Sequence, residues 1–142
     1  MYTGLQHLHS FLAYILLAAL IFSLGFVIFK FVKKSAFTEK VRKVALIGFI
    51  ASHLQLLVGL VLYFVSPLGI SNFSGEMMGD TMSRLYALEH PIMMILGIVL
   101  ISVGYIKAKK PGDDISRFKT VIIFYTLGLV FILSRIPWQV WP

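Results

Sequence analysis

Five ionisable side chains within or at the edges of long apolar stretches could do chemistry in this sequence: His9, His53, Glu89, His90 and Arg135. A bilayer interior penalises such groups, and those found there usually mark functional sites. A neutral imidazole in hydrocarbon needs a hydrogen-bond partner or a metal ion. Because the three histidines lie in three different stretches, they predict a haem or metal site with His9, His53 and His90 as candidate ligands.

The absence of cysteine narrows the chemistry of that site. It excludes disulfides, iron–sulfur clusters, thiolate metal sites and covalently attached c-type haem. The sequence also lacks a nucleotide-binding glycine loop, a serine nucleophile elbow and an HExxH zinc motif. Histidines without any cysteine therefore favour a haem b held by two imidazoles that approach the iron from opposite sides.

Four apolar stretches must position these side chains, at residues 8–29, 44–65, 85–106 and 120–136. They belong to a chain of 142 residues that is 58% hydrophobic and 13% charged, a balance that excludes a soluble domain. A bilayer core requires about 20 helical residues, and the stretches lack the alternation of barrel strands. We therefore predict an all-α integral membrane protein, a single domain over residues 1–142, folded as a four-helix up-down transmembrane bundle.

Basic residues lie almost entirely in two of the three predicted loops. Eleven of the 13 are Lys30, Lys33, Lys34, Lys40, Arg42 and Lys43 after the first stretch and Lys107, Lys109, Lys110, Arg117 and Lys119 after the third. The positive-inside rule places these loops in the cytoplasm and both termini outside, with the chain in the bacterial inner (cytoplasmic) membrane. The net charge of +7 then indicates orientation and attraction to membrane lipid, and no nucleic-acid partner is expected.

Distances along the predicted helices separate the histidines by depth. Depth is counted at 1.5 Å per residue from the lysines at the predicted cytoplasmic ends of the helices. On this scale His9, His90 and Arg135 fall in the outer half of the membrane, and His53 lies roughly 13 Å deeper than His90. The first and third helices run in the same direction and would share a diagonal, so His9 and His90 form the more level pair of haem ligands. The spread in depth disfavours a three-histidine copper or zinc site.

The remaining candidates have roles that the sequence leaves open. Arg135 would bind the haem propionates or extend to the outer head groups. Glu89 would pair with Arg135 or accept a proton from a ligating histidine. His53 would replace one haem ligand in a tilted helix, carry protons, or bind a quinone together with Gln55.

Small and polar residues recur along the helices at spacings of three and four, which keeps them on one face. The third stretch carries His90, Met94, Gly97, Ile101 and Gly104, and the second carries Gly48, Ser52, Gln55 and Gly59. Small residues let helices, or a flat cofactor, approach closely, so we expect these faces to point into the bundle. Asp80 is a candidate cap for an extension of the third helix, and the turn at residues 111–114 ends in another candidate cap.

Several short segments carry a resemblance to a known group. They are Met1–Leu5, His7–Ser10, Ser52–Gly59, Glu89-His90 with Met93-Met94, and Ile136–Trp138. Across essentially its whole length the chain resembles small bacterial four-span membrane proteins catalogued as cytochrome-b-like. The resemblance implies that His9, His53 and His90 are the haem-binding positions. That group has an Arg-Trp pair after its first histidine motif, where this chain has Ala13-Tyr14.

Three functions follow as hypotheses. The first is a small b-type cytochrome that binds one haem b and passes electrons, with a quinone as a candidate donor or acceptor. The alternative is a cofactor-free accessory or assembly subunit of a respiratory or transport complex, whose partners would be other subunits or further copies of the chain. A small transporter that uses His53, Gln55 and Arg135 as a polar path is a third hypothesis.

Overall fold

The computed structural model describes all 142 residues, and every regular element in it is helical. Four long helices are α1 (Tyr2–Val32), α2 (Glu39–Val65), α3 (Thr81–Ala108) and α4 (Asp114–Ser134). Each is long and apolar enough to cross a membrane. The predicted all-helical architecture with four candidate spans is therefore confirmed, and the chain has the form of a multi-pass membrane protein.

The helices differ from the apolar stretches mainly at their starts. Each helix begins four to six residues before its apolar stretch. In three of the four, a polar N-cap side chain stabilises this earlier start. Thr38 accepts from the Val41 N–H at 3.4 Å, Asp80 from the Ser83 N–H at 2.9 Å, and Asp113 from the Ser116 N–H at 2.9 Å. The last helix ends at Ser134, two residues before its predicted limit, and Arg135 follows it as the C-cap.

Neighbouring helices are antiparallel around the bundle. His9 of α1 lies against Gly59 of α2, and Ser23 donates to the Val44 carbonyl at 2.7 Å. The pairs formed are α1 with α2, α2 with α3, α3 with α4, and α4 with α1. Consequently α1 and α3 lie on a diagonal, as predicted from an up-down order.

Glycines allow the closest crossings. A Cβ at Gly128 would lie 2.6 Å from the Gly97 carbonyl oxygen and 2.6 Å from Ile101 Cγ1. A Cβ at Gly48 would lie 3.1 Å from Leu20. The small-residue faces therefore point inward, and most of their length is used for helix packing.

The two ends of the bundle are packed differently. The buried core is concentrated in the half that carries the basic loops, with fully buried members Val27, Val41, Phe118, Val121 and Tyr125. The other half contains two single-turn 3₁₀ segments, Ile70–Asn72 and Glu76–Gly79, in the connection from α2 to α3. It also contains the cavity that holds the candidate site.

Candidate ligand cavity between His9 and His90

A cavity of about 390 Å³ opens in the half of the bundle away from the basic loops. This volume lies within the range of ~300–1,000 Å³ found for small-molecule sites. Its walls come from α1, α2, α3, the end of α4 and the C-terminal residues, and most of them are apolar. Along α1 the lining extends from Tyr2 to Leu17, so the cavity is elongated, roughly 22 Å along the helix.

His9 and His90 meet inside this cavity. Their ring centroids are 6.1 Å apart and the ring planes are nearly perpendicular, at 85°. The Nδ1 atom of His90 lies 2.8 Å from the backbone oxygen of Arg135. Since a carbonyl can only accept, we assign the proton to Nδ1, which leaves Nε2 of His90 as a free lone pair.

His9 is held by close packing but lacks a polar partner at one nitrogen. A Cβ at Gly59 would lie 3.0 Å from its Cε1 atom, so the ring occupies space that only glycine leaves open. Its Nδ1 atom is buried and has no hydrogen bond. A buried imidazole nitrogen without a partner is costly, and the His9 residue that carries it lines the cavity.

Gln55 adds a second unpaired atom to the same cavity. Its Nε2 donates to the backbone oxygen of His9 at 2.9 Å, and its Oε1 is buried with no partner. His9 Nδ1 and Gln55 Oε1 are the two buried side-chain polar atoms of the structure that lack a hydrogen bond. Both residues line the cavity, and buried polar atoms of native proteins normally have a hydrogen-bond partner.

A π-helical turn presents His90 to the cavity. Residues Leu85–Glu89 are π-helical and lead directly into the α-helix His90–Ala108, with Pro91 in its first turn. Proline has no N–H, so it cannot donate to the carbonyl of Ala87 four residues earlier. The Tyr63 hydroxyl donates to that carbonyl instead, at 2.8 Å. Turns of this kind are frequent at functional sites.

An ion-pair cluster lies next to His90, at the end of the bundle away from the basic loops. The Glu89 carboxylate accepts from Arg84 Nε at 2.7 Å and lies 3.2 Å from Arg135 Nε. The predicted pairing of Glu89 with Arg135 is therefore present. The Arg135 side chain does not line the cavity, and its contribution to the site is the backbone carbonyl that holds His90.

His53 lies outside the cavity. Its Nδ1 is 2.7 Å from the Phe49 carbonyl, and its Nε2 is 3.2 Å from the Ser102 hydroxyl. Ser102 is 12 residues beyond His90 on α3, or roughly 18 Å along the helix. His53 is therefore separated from His90 along the bundle axis, on the side of the basic loops, as the sequence predicts. No group of three His, Cys, Asp or Glu side chains is close enough to hold a metal ion.

Sequence reasoning did not identify every residue of the site. Gln55 was associated with His53, but it lines the cavity with His9. Tyr63 was not singled out, although its spacing of four from Gly59 and eight from Gln55 places it on the same helix face. The C-terminal segment was also missed as part of the wall: Pro137 and Trp141 line the cavity, and the Trp141 ring lies 4.6 Å from Tyr14.

Comparison of the chain with protein-family models, with curated proteins and with solved structures gave no match. The cytochrome-b-like family therefore remains a prediction from the short segments quoted above. We infer the function from the geometry of the cavity alone.

Proposed function

We propose that the chain is a small membrane protein that binds haem b between His9 and His90 and carries electrons. One observation supports this most strongly. Two imidazoles from diagonal helices meet 6.1 Å apart in a largely apolar cavity, and one of them has a buried nitrogen without a partner. Bis-histidine haem requires imidazoles from opposite sides, and diagonal helices provide that approach.

The residues present fit such a group. Metal-ligating histidines usually donate their second ring N–H to a carbonyl or a similar acceptor, and His90 does so to Arg135. With no cysteine in the chain, the haem would be held by the imidazoles and the apolar walls alone. The bound haem would supply one-electron redox chemistry.

The chain's own residues would orient and shield the site. The Arg135 carbonyl fixes the tautomer of His90, and Gly59 leaves the space that the His9 ring occupies. Arg84 and Arg135, next to the cavity, exceed Glu89 by one positive charge, which would favour an anionic group such as a propionate on that side of the haem.

We further propose that the protein lies in the bacterial inner membrane with both termini outside. The support is the charge distribution, with eleven of 13 basic residues in the loops at one end of the bundle. Electron exchange would then occur in the outer half, with a quinone or with a protein subunit as partner.

Reduced-minus-oxidised spectra of the protein, expressed with added haem, test the haem assignment. We expect Soret and α bands that are lost in His9→Ala and in His90→Ala and retained in His53→Ala. His7→Ala is the matched control, because His7 is exposed and two residues from His9. Bands that survive both ligand replacements, or no bands in the natural protein, contradict the proposal. A stable haem-free protein that copurifies with defined subunits would support the accessory role instead.

A further inference from the structure

The side chain of Arg117, in the first turn of α4, is held in place at the end of the bundle that carries the basic loops. Its Nε atom donates to the Ala108 carbonyl at 2.7 Å, and its guanidinium carbon lies 4.3 Å from the centroid of the Phe37 ring. Phe37 is buried and packs edge to face on Phe118, with centroids 5.0 Å apart, so the support of the guanidinium is itself fixed. Arg117 therefore joins α4 to the end of α3 and to the loop before α2.

The Nη atoms of this guanidinium have no partner in the protein. The bond to Ala108 is the side chain's only hydrogen bond, and Arg117 takes part in none of the three ion pairs. Asp113 and Asp114 lie close in sequence, but Asp113 caps the Ser116 N–H instead. The two buried polar side-chain atoms without a partner belong to other residues, so the Nη atoms are accessible. Arg117 thus presents a preformed fork of free N–H donors.

Arg42 is an arginine of the same end whose donors are all used. Its Nε and Nη2 atoms bind the Glu39 carboxylate, and its Nη1 atom donates to the Tyr105 hydroxyl at 2.5 Å. The positive charges of Lys43 and Arg117 also act on that carboxylate, which places both near the start of α2. Because Arg42 already neutralises Glu39, Lys43 and Arg117 remain as two positive charges without an ion-pair partner.

These charges lie at the level where the helices would enter the membrane. Arg117 is three residues before the apolar stretch of α4, or roughly 5 Å along the helix, and Lys43 directly precedes the stretch of α2. Lipid head groups are the anions concentrated at this level, and phosphate oxygens match the fork of a guanidinium. We propose that Arg117, with Lys43 as a second cation, forms a binding site for the phosphate of an anionic phospholipid.

Such a site differs from the general attraction between basic loops and a membrane. General attraction depends on the number of charges and treats arginine and lysine alike, whereas a fixed fork depends on one guanidinium. The lipid must carry a net negative charge, because a choline cation would be repelled by the two unpaired positive charges. Arg117 is roughly 27 Å along α4 from Arg135, so the lipid site rests on membrane insertion and not on the proposed haem.

Native mass spectrometry of the full chain in detergent micelles tests the site. The probes are phosphatidylglycerol and phosphatidylcholine with the same acyl chains, and the dissociation constant of the first bound lipid is measured for each. We expect phosphatidylglycerol to bind at least about tenfold more tightly. Arg117→Lys keeps the charge but loses the fork, and it should lose about tenfold in phosphatidylglycerol affinity, the size of a hydrogen bond to a charged group. Lys119→Arg is the charge-matched control and should be unchanged, because Lys119 is exposed.

Equal binding of the two lipids, no binding of either, or an unchanged phosphatidylglycerol affinity in Arg117→Lys overturns the site. Circular dichroism and gel filtration establish that the variant is folded. If it is not, Lys43→Gln is compared with Lys34→Gln, since both lysines are exposed and each change removes one charge at the same end. Equal losses in that pair overturn the proposal. Glycerol phosphate that binds as tightly as phosphatidylglycerol would assign the fork to a free phosphate and overturn the lipid site.

Discussion

The imidazole rings of His9 and His90 meet edge to face across the diagonal of the bundle, with centroids 6.1 Å apart. The helices that carry them are not neighbours in the packing order. The rings meet because Gly59 leaves room for His9 and because the Arg135 carbonyl orients His90. The predictions below alter these supports one at a time.

Gly59→Ala tests how closely His9 is held. The new Cβ would lie 3.0 Å from His9 Cε1, so the ring must shift by a few tenths of an ångström. We expect haem affinity to fall by about tenfold, the size of loss seen when the surroundings of a ligating histidine change. Gly25→Ala is the control, because no atom lies within 4 Å of its Cβ position and alanine favours the helix by about 1 kcal/mol. Haem titration and thermal melting measure both effects. Unchanged haem affinity in Gly59→Ala would argue against His9 as a ligand.

Gly128→Ala tests the crossing of α3 and α4. Its Cβ would lie 2.6 Å from both the Gly97 backbone oxygen and Ile101 Cγ1, and the backbone cannot yield without separating the helices. We expect a loss of about 1–3 kcal/mol in the free energy of unfolding, typical of overpacking. Reversible unfolding in mixed micelles measures it, again with Gly25→Ala as reference. A variant as stable as the reference would contradict the crossing.

Tyr63→Phe tests the hydrogen bond that replaces the one Pro91 cannot make. Without the hydroxyl, the Ala87 carbonyl loses its 2.8 Å donor from α2. We expect a loss of about 1 kcal/mol in stability, together with weaker haem binding because the turn before His90 loosens. Tyr14→Phe is the matched control, since Tyr14 is exposed and its contact with Trp141 is between the two rings, with centroids 4.6 Å apart. Equal behaviour of the two variants would contradict a role for Tyr63 in positioning His90.

The sequence was sufficient for the number of helices and for the pairing of His9 with His90. The lengths of the apolar stretches and the charges of the loops predict the number of helices. The antiparallel order, together with distances of 1.5 Å per residue along each helix, predicts that His9 and His90 lie at the same level. The same distances along the helices predict that His53 lies apart from that pair. These properties depend on distances along a helix, which sequence positions give directly.

The direction in which each side chain faces around its helix axis was harder to predict from the sequence. Gln55 lies only two residues from His53, yet it faces His9, because residues two apart point in different directions. The role of Arg135 was also not readable, since its backbone rather than its side chain holds His90. Backbone contacts of this kind carry no residue-type signal. The π-turn at Leu85–Glu89 is likewise a response to packing.

The cap at Asp80 predicts a pH dependence at the start of α3. Hydrogen bonds from the Ser83 hydroxyl and the Ser83 N–H lower the pKa of the Asp80 carboxyl. The ionised form is therefore favoured by folding, so its contribution is complete above the ordinary Asp pKa of about 3.9 and is lost as pH falls through the lower folded pKa. We expect Asp80→Asn, which retains an acceptor, to melt at a temperature that depends less on pH between about pH 5 and pH 2. Melting curves across that range measure this. An unchanged pH dependence in Asp80→Asn would show that other carboxylates dominate.

Single cysteines can locate the two ends of the bundle, because the natural chain has none. Ala36→Cys lies in the first basic loop and Ser74→Cys in the connection from α2 to α3, and both positions are exposed. Neither change alters a charge, so the distribution that would set the orientation is preserved. With a membrane-impermeant maleimide added to intact spheroplasts, we expect Ser74→Cys to be labelled and Ala36→Cys to be labelled only after lysis. The second step is the internal control, since it establishes that the Ala36 position is reactive once exposed. The reverse pattern would put the His9–His90 cavity in the cytoplasmic half and would move its redox partner to that side of the membrane.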